Sequence, residues 1–298
     1  MNNTFMPYID QWFRELPAVY IVFIGLGACV FLGISAVTTI LVWRVHHFVQ
    51  DEYVQADLYF IIFVPFIVSG MCLVGNIIPR AAQITYAIGL IYLMLCLHIT
   101  MLIITRLFGN RNGMAKWLAD QNKVLHFDVR PYCCCCHCLP GLAPTPKKVR
   151  RLTYFVRQSP IVRVVLQITI VILGVEGLSD KSGVFQVLNA LGVASTLIAV
   201  FVCHVFVTAT KEALTPFNMY VIFRCVDVTQ VLYTFQKFIL DLIAKNGGMG
   251  GLSMATPAMV ARFWNNVAVT LEVALVSFIM FRNIRPGFAD VDCQRLRG

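Results

Sequence analysis

The sequence predicts an all-α polytopic membrane protein of seven transmembrane helices, with the N-terminus outside and the C-terminus in the cytosol. Three observations predict it. Of 298 residues, 58% are hydrophobic and only 13% are charged, against about 25% charged in a soluble domain; the mean hydropathy is +0.75. Apolar runs long enough to cross a hydrocarbon core of about 30 Å recur along the whole chain. Basic residues concentrate on alternate connections between those runs. The formal net charge of +9 therefore points to anionic lipid at the inner leaflet, not to nucleic acid.

Residues 1–17 contain Asp10, Arg14 and Glu15. The first apolar run is long enough to span, so no cleavable signal peptide is expected. That run, 18–43, carries Gly25, Gly27 and Gly33, which permit close helix approach. A short loop follows, in which His46 and His47 read as an interfacial polar edge rather than a metal arm. The second run, 58–78, has Pro65 inside it, so a kink is expected; Ile78-Pro79-Arg80 closes it. The third run, 84–108, contains His98, read as hydrogen-bonded packing.

A long loop, 109–160, comes next. Arg111, Lys116, Lys123, Arg130, Lys147, Lys148, Arg150, Arg151 and Arg157 face only Asp120 and Asp128 there. Met114, Trp117, Leu118, Leu125 and Phe127 interleave with Lys116 and Lys123, which predicts a short amphipathic helix lying on the membrane. Pro140, Pro144 and Pro146 predict irregular chain beyond it. The remaining runs are 161–178, 184–210, 216–244 and 259–281, with a tight turn at 179–182, a glycine-rich loop at 246–251 and an arginine-rich tail.

Seven runs put the termini on opposite sides. With the N-terminus outside, Arg44, the 109–160 loop, Lys211 and the tail arginines fall inside, leaving Arg14, Arg80, Lys181 and Lys245 outside. The positive-inside rule selects this orientation. It makes 1–298 a single seven-helix transmembrane domain with a cytosolic cysteine-rich basic loop, and it exposes the sequon Asn2-Asn3-Thr4, with Asn2 as a glycosylation candidate.

The last two runs carry the ionisable groups that hydrocarbon tolerates least. Asp227, Gln230, Thr234, Lys237 and Asp241 are spaced three, four, three and four, as on one helix face, with Arg224 one turn earlier. In the seventh run Arg262, Asn265 and Glu272 share a face and Asn266 lies beside it. Three cations, Arg224, Lys237 and Arg262, balance three anions, Asp227, Asp241 and Glu272. Such groups either pair structurally or line a polar path where a cation is shared with an anionic solute. Phe223, Tyr233 and Trp264 would offer that solute apolar surface. Milder stripes, Arg163, Gln167, Ile170 and Gly174 in the fourth run and Gln186, Asn189, Val193, Thr196 and Cys203 in the fifth, read as helix-packing groups.

Cys133, Cys134, Cys135, Cys136 and Cys138 surround His137 inside the basic loop. Adjacent cysteines make a poor disulfide framework. Cys-His-Cys is present, but no pair of C-x-x-C arms separated by a loop is, so zinc is weakly indicated. S-acylation fits a cytosolic, membrane-apposed loop best, because two or more chains anchor firmly where one does not; a metal site and inert thiols remain the alternatives. No nucleotide-binding G-x-x-x-x-G-K-[ST], no H-E-x-x-H and no G-x-S-x-G occurs, so neither ATP-driven transport nor hydrolysis is expected, and no cofactor is called for.

The seven runs with an outside N-terminus, Ile78-Pro79-Arg80, and the cysteine run followed by Lys147-Lys148 and Leu152-Thr153-Tyr154-Phe155 resemble the organic solute transporter α-subunit family. The resemblance covers almost the whole chain. It implies facilitated, bidirectional movement of amphipathic organic anions such as conjugated steroids and bile-acid-like molecules. It also implies a small single-span β-type subunit, a plasma-membrane location and palmitoylation of the five loop cysteines, although the family's cysteine stretch is often longer. Two other classes compete: a seven-span receptor, disfavoured because no Asp-Arg-Tyr follows the third run, and a scaffold or trafficking regulator. Assembly into a homo- or hetero-oligomer is open to the chain in any of these classes.

Overall fold

The computed structural model describes residues 8–49, 51–127, 141–176, 183–215, 218–252 and 255–284. These residues are helical almost throughout, with one isolated antiparallel bridge, Leu125 to Leu142, and no strand among them. In order the helices are α1 (Ile9–Glu15), α2 (Ala18–Phe48), α3 (Glu52–Ile62), α4 (Val64–Ile77), α5 (Ala82–Leu107), α6 (Arg111–Asp120), α7 (Pro146–Val175), α8 (Gly183–Ala209), α9 (Lys211–Leu214), α10 (Met219–Val231), α11 (Lys237–Lys245) and α12 (Pro257–Asn283). A π turn, Leu232–Gln236, joins α10 to α11.

Six stretches of the described residues are long and apolar enough to cross a bilayer: Ala18–Phe48, Glu52–Ile77, Pro79–Leu107, Pro146–Leu173, Val187–Ala209 and Pro257–Asn283. Their outward surfaces are apolar where a soluble protein would be polar: Val22 is 68% exposed, Leu32 67% and Leu275 67%. Water would not tolerate such continuous faces, but hydrocarbon does. The protein is thus an all-helical, multi-pass membrane protein. The expected run at 216–244 is not among the six. From Met219 on it is helical, but the π turn divides it into pieces of 13 and 9 residues, and Arg224, Asp227, Lys237 and Asp241 lower its hydropathy.

Backbone hydroxyl bonding serves these helices as expected in a medium without water. Ser69 donates to the Pro65 carbonyl at 2.6 Å, Thr100 to Cys96 at 2.8 Å and Thr270 to Asn266 at 2.8 Å, so each hydroxyl is satisfied one turn back. Pro65 acts as predicted. The helix pauses at Phe63, and Pro65 sits in the first turn of α4, where its missing N–H has no helical partner to lose.

The chain divides into two compact units. The first comprises the described parts of Met1–Val42, Ile62–Leu93 and Cys225–Arg282. Its core joins Trp12, Leu16 and Ile24 to Ala255, Val260, Phe263 and Val267. Tyr20 packs on Phe263 and Trp264 at ring distances of 4.7 and 5.6 Å, and Phe23 meets Trp264 edge-on at 5.0 Å.

The second unit comprises the described parts of Trp43–Ile61, Met94–Arg224 and Asn283–Gly298. Here α7 packs along α8. Val149, Thr153, Val156, Ser159, Arg163, Gln167 and Ile170 form its buried stripe at three- and four-residue spacing, while Tyr154, Ile161, Val165 and Ile168 face outward. Ser159 and Thr196 both donate to the Met94 sulfur, at 3.5 and 3.6 Å. The α8 stripe expected from spacing divides: Thr196 and Cys203 are inside, Asn189 and Val193 outside.

Two expectations for the loop need correction. α7 begins at Pro146, fifteen residues before the expected start at 161. Pro146 opens the helix, the position where proline is most at home, and the amphipathic Lys147-to-Ser159 stretch is too polar for hydropathy to reveal. The short helix α6 exists, with Asn110 as its cap accepting from Gly113 N–H at 2.8 Å. It does not turn its apolar face to lipid, however: Met114, Ala115 and Leu118 are buried, and α6 packs on α7.

Candidate functional site

The polar residues singled out on α10 to α12 fall into four groups. Arg224 belongs to the second unit, where its Nη2 and Nε donate to the Tyr220 hydroxyl one turn back, at 3.0 and 3.2 Å. The others all belong to the first unit.

Asp227 and Gln230 form the second group. Both are buried; Gln230 is only 1% exposed, and among the described residues neither of its amide atoms has a hydrogen-bond partner. The third group is Lys237 and Asp241, an ion pair at 2.5 Å within α11, with the Lys237 ammonium 4.9 Å from the Tyr86 ring centre. This pair is only partly buried, with side chains 21% and 28% exposed, unlike Asp227 and Gln230. The π turn explains the difference. It holds an extra residue in one turn, so every later side chain is rotated by about 100° from its α-helical register. The single face drawn from Asp227 to Asp241 therefore does not survive. The turn also directs Gln236 to α12, where its Nε2 donates to Glu272 Oε1 at 3.4 Å.

The fourth group lies on α12. Asn266 Nδ2 donates to Asn76 Oδ1 at 2.9 Å, and Asn265, 1% exposed, has no partner for Oδ1 among the described residues. Arg262 and Asn266 line a cavity of about 20 Å³ together with Trp12, Gly75 and Asn76. The approach of α4 to α12 needs Gly75: a methyl there would lie 3.0 Å from Thr85 Oγ1 and 3.1 Å from Asn266 Nδ2. The cavity is far below the roughly 300–1,000 Å³ of a typical ligand pocket, so as it stands it holds no more than about a water molecule. The aromatics expected to offer apolar surface are engaged already. Phe223 is buried against His204, Tyr233 is buried on Tyr86, and Trp264 sits among Tyr20, Phe23 and Phe263. The loop cysteines Cys133, Cys134, Cys135, Cys136 and Cys138, and Asn2, lie outside the described residues.

Residues 22–283 match the family model described as organic solute transporter Ostalpha. The chain belongs to the organic solute transporter α family. It is 32% identical over 240 residues to organic solute transporter alpha-like protein 1 of Caenorhabditis elegans, across 80% of this chain and 62% of that protein. To alpha-like protein 3 of the same organism it is 27% identical, across 84% of this chain and 75% of the relative. To organic solute transporter subunit alpha of Bos taurus it is 23% identical, across 72% and 63%. The chain thus spans less than two thirds of the first of these relatives. No solved structure matches it. The family is named for solute transport rather than for catalysis.

Sequence spacing missed several contributors that this family member brings to the site. Asn76, Thr85 and Tyr86 come from α4 and α5, and Gln236 from the π turn. A lone asparagine one turn before Pro79 was the only signal, and it reads as a helix end. In the second unit, Asp57 and Arg106 form an ion pair that no single-helix pattern announces, since they are 49 residues apart.

Proposed function

We propose that this chain is the α-type subunit of a membrane transporter through which amphipathic organic anions, conjugated steroids and bile-acid-like molecules among them, move down their gradients in either direction. The observation that carries the reading is the polar seam of the first unit. A chain belonging to a solute-transporter family buries Asp227, Gln230, Asn265 and part of Glu272 in helices otherwise built for hydrocarbon. Groups so costly to desolvate are kept where they pair or where something polar passes. The solute path runs along Asp227, Gln230, Arg262, Asn265, Asn266 and Glu272. Lys237 and Asp241 serve as a structural pair, and Arg224 stands apart with Tyr220.

On this reading the helical stretch Met219 to Lys245 is the seventh span, its charges being part of the path rather than a reason to leave the membrane. The N-terminus is then outside, with Asn2 open to glycosylation, and the chain sits in the plasma membrane. The relative named subunit alpha supports a partner, for which a single-span β-type subunit is our choice. The loop cysteines carry palmitate, holding the basic loop against anionic inner-leaflet lipid.

The test is flux of a labelled steroid sulfate in vesicles holding this chain, with and without a single-span partner. Flux should reverse when the gradient is reversed. Arg262→Gln should lower the ratio of anionic to neutral steroid flux several-fold at equal surface protein. An unchanged ratio with less folded protein would make Arg262 a structural residue, since breaking a buried pair costs about 3–5 kcal/mol and harms all solutes alike. Absence of flux in every combination would return the chain to the scaffold or receptor class.

A further inference from the structure

Helix α1 contributes one side chain to the wall of the cavity beside Arg262. Within Ile9–Glu15 only Trp12 is buried; Ile9, Phe13 and Arg14 are exposed. The Trp12 indole Nε1 donates to the Asn76 carbonyl at 3.2 Å. That carbonyl belongs to the last turn of α4, where helical partners run out. A second hold on this segment lies outside the cavity: the Arg80 guanidinium sits 3.5 Å over the Tyr8 ring, just before α1. Beyond the indole the cavity presents Arg262, the Asn266 amide and the bare backbone at Gly75.

We propose that this cavity is the headgroup subsite of the solute path, taking a carboxylate or sulfate carried on a flat apolar body, and that Trp12 is its stopper. The proposal rests on the transport reading above. A guanidinium and an amide N–H are the donors an oxyanion needs. The Asn266 N–H is at present given to Asn76 Oδ1, a bond of neutral partners that a charged acceptor would outcompete. The indole is flat and apolar with a single N–H, so a steroid ring entering in its place keeps the apolar surface covered and costs one hydrogen bond. While the stopper is seated, apparent affinity is lowered by the fraction of molecules that are open.

The experiment uses the purified full chain in detergent and trypsin cleavage after Arg14. A steroid sulfate should speed that cleavage several-fold by releasing α1, whereas the unsulfated steroid and inorganic sulfate should not. Trp12→Ala should be cleaved rapidly without ligand and should bind labelled steroid sulfate roughly tenfold more tightly, the gain expected from removing a competing closed state. If Trp12→Ala does not fold, Tyr8→Ala, which loosens the Arg80 contact without touching the cavity, should move cleavage and binding in the same direction by less. Cleavage indifferent to a saturating steroid sulfate, or no binding of it, would overturn the proposal. Release of α1 without flux in vesicles would instead remove the transport reading and leave the subsite standing; flux without release would do the reverse.

Discussion

At Gly89 the backbone of α5 makes room for a phenol. Tyr233, fully buried, stacks on Tyr86 at 4.9 Å and donates to the Tyr86 carbonyl at 3.3 Å. A methyl on Gly89 would lie 2.5 Å from its oxygen and 2.9 Å from Cζ. Both atoms belong to a ring fixed on its other face, so the strain cannot be relieved cheaply. Gly89→Ala should therefore cost about 1–3 kcal/mol, the range for overpacked cores, measured as a lowered unfolding midpoint in detergent. Tyr233→Phe removes the nearest atom, and in that background the cost should shrink. Equal costs in both backgrounds would place the clash elsewhere. Gly192 on α8 is used in the same way, its missing side chain making room for the buried Arg163 guanidinium. The positions that fix helix spacing here are glycines facing large polar or aromatic groups, which is how membrane helices gain contact when apolar burial offers no advantage over lipid.

Among the elements, α6 and the π turn depart furthest from what spacing suggests. Helix α6 has the composition of a surface-lying amphipathic helix, yet Met114 and Leu118 are completely buried and its partner is α7. The Lys123–Glu212 ion pair at 2.7 Å, half in solvent, adds little beside that burial. Leu118→Ala should consequently destabilise the second unit by about 2–5 kcal/mol, as for a core leucine, and hydrogen exchange across α6 and the start of α7 should rise. A helix resting on lipid would show no such coupling to α7, so unchanged exchange in α7 would return α6 to the membrane surface. The π turn has a functional bearing as well. By rotating α11 it separates the Lys237–Asp241 pair from Asp227 and Gln230 and hands Gln236 to Glu272. Such turns are uncommon and often mark working sites.

For the molecule as a whole, orientation decides what every other group can do. The basic residues at the start of α7, the loop cysteines and Lys211 belong on one side if the seventh span is Met219 to Lys245. Tags at residues 3 and 297 should then be digested from opposite faces of sealed vesicles. In the same preparation, acyl exchange should label the wild-type loop and fail when Cys133, Cys134, Cys135, Cys136 and Cys138 are all replaced by serine. Both tags cleaved from one side would remove the odd number of crossings; equal acyl labelling of the two proteins would place the lipid elsewhere.

Hydropathy and charge were enough to read the class of the fold and the rough position of six helices long and apolar enough to cross a bilayer, while the family was legible from short motifs such as Ile78-Pro79-Arg80 and Leu152-Thr153-Tyr154-Phe155. Fold class and helix positions depend on summed properties of long segments, which survive without knowledge of neighbours. Pro65 was legible too, because a missing N–H acts within its own helix. What needed tertiary structure was every statement about which face meets what. The stripe from Asp227 to Asp241 assumed 3.6 residues per turn, and one π turn, which holds the buried Tyr233 beside Gly89, undid it. The start of α7 was hidden because its first turns carry Lys147, Lys148, Arg150 and Arg151 outside and Thr153 and Ser159 inside, hydroxyls that bond to their own helix and to the Met94 sulfur. Asn76 joined the site through a hydrogen bond spanning 190 residues, and Trp12 through one spanning 64. Contacts that long are products of packing, where one side chain's partner is set by the backbone of another helix, and no local pattern carries them.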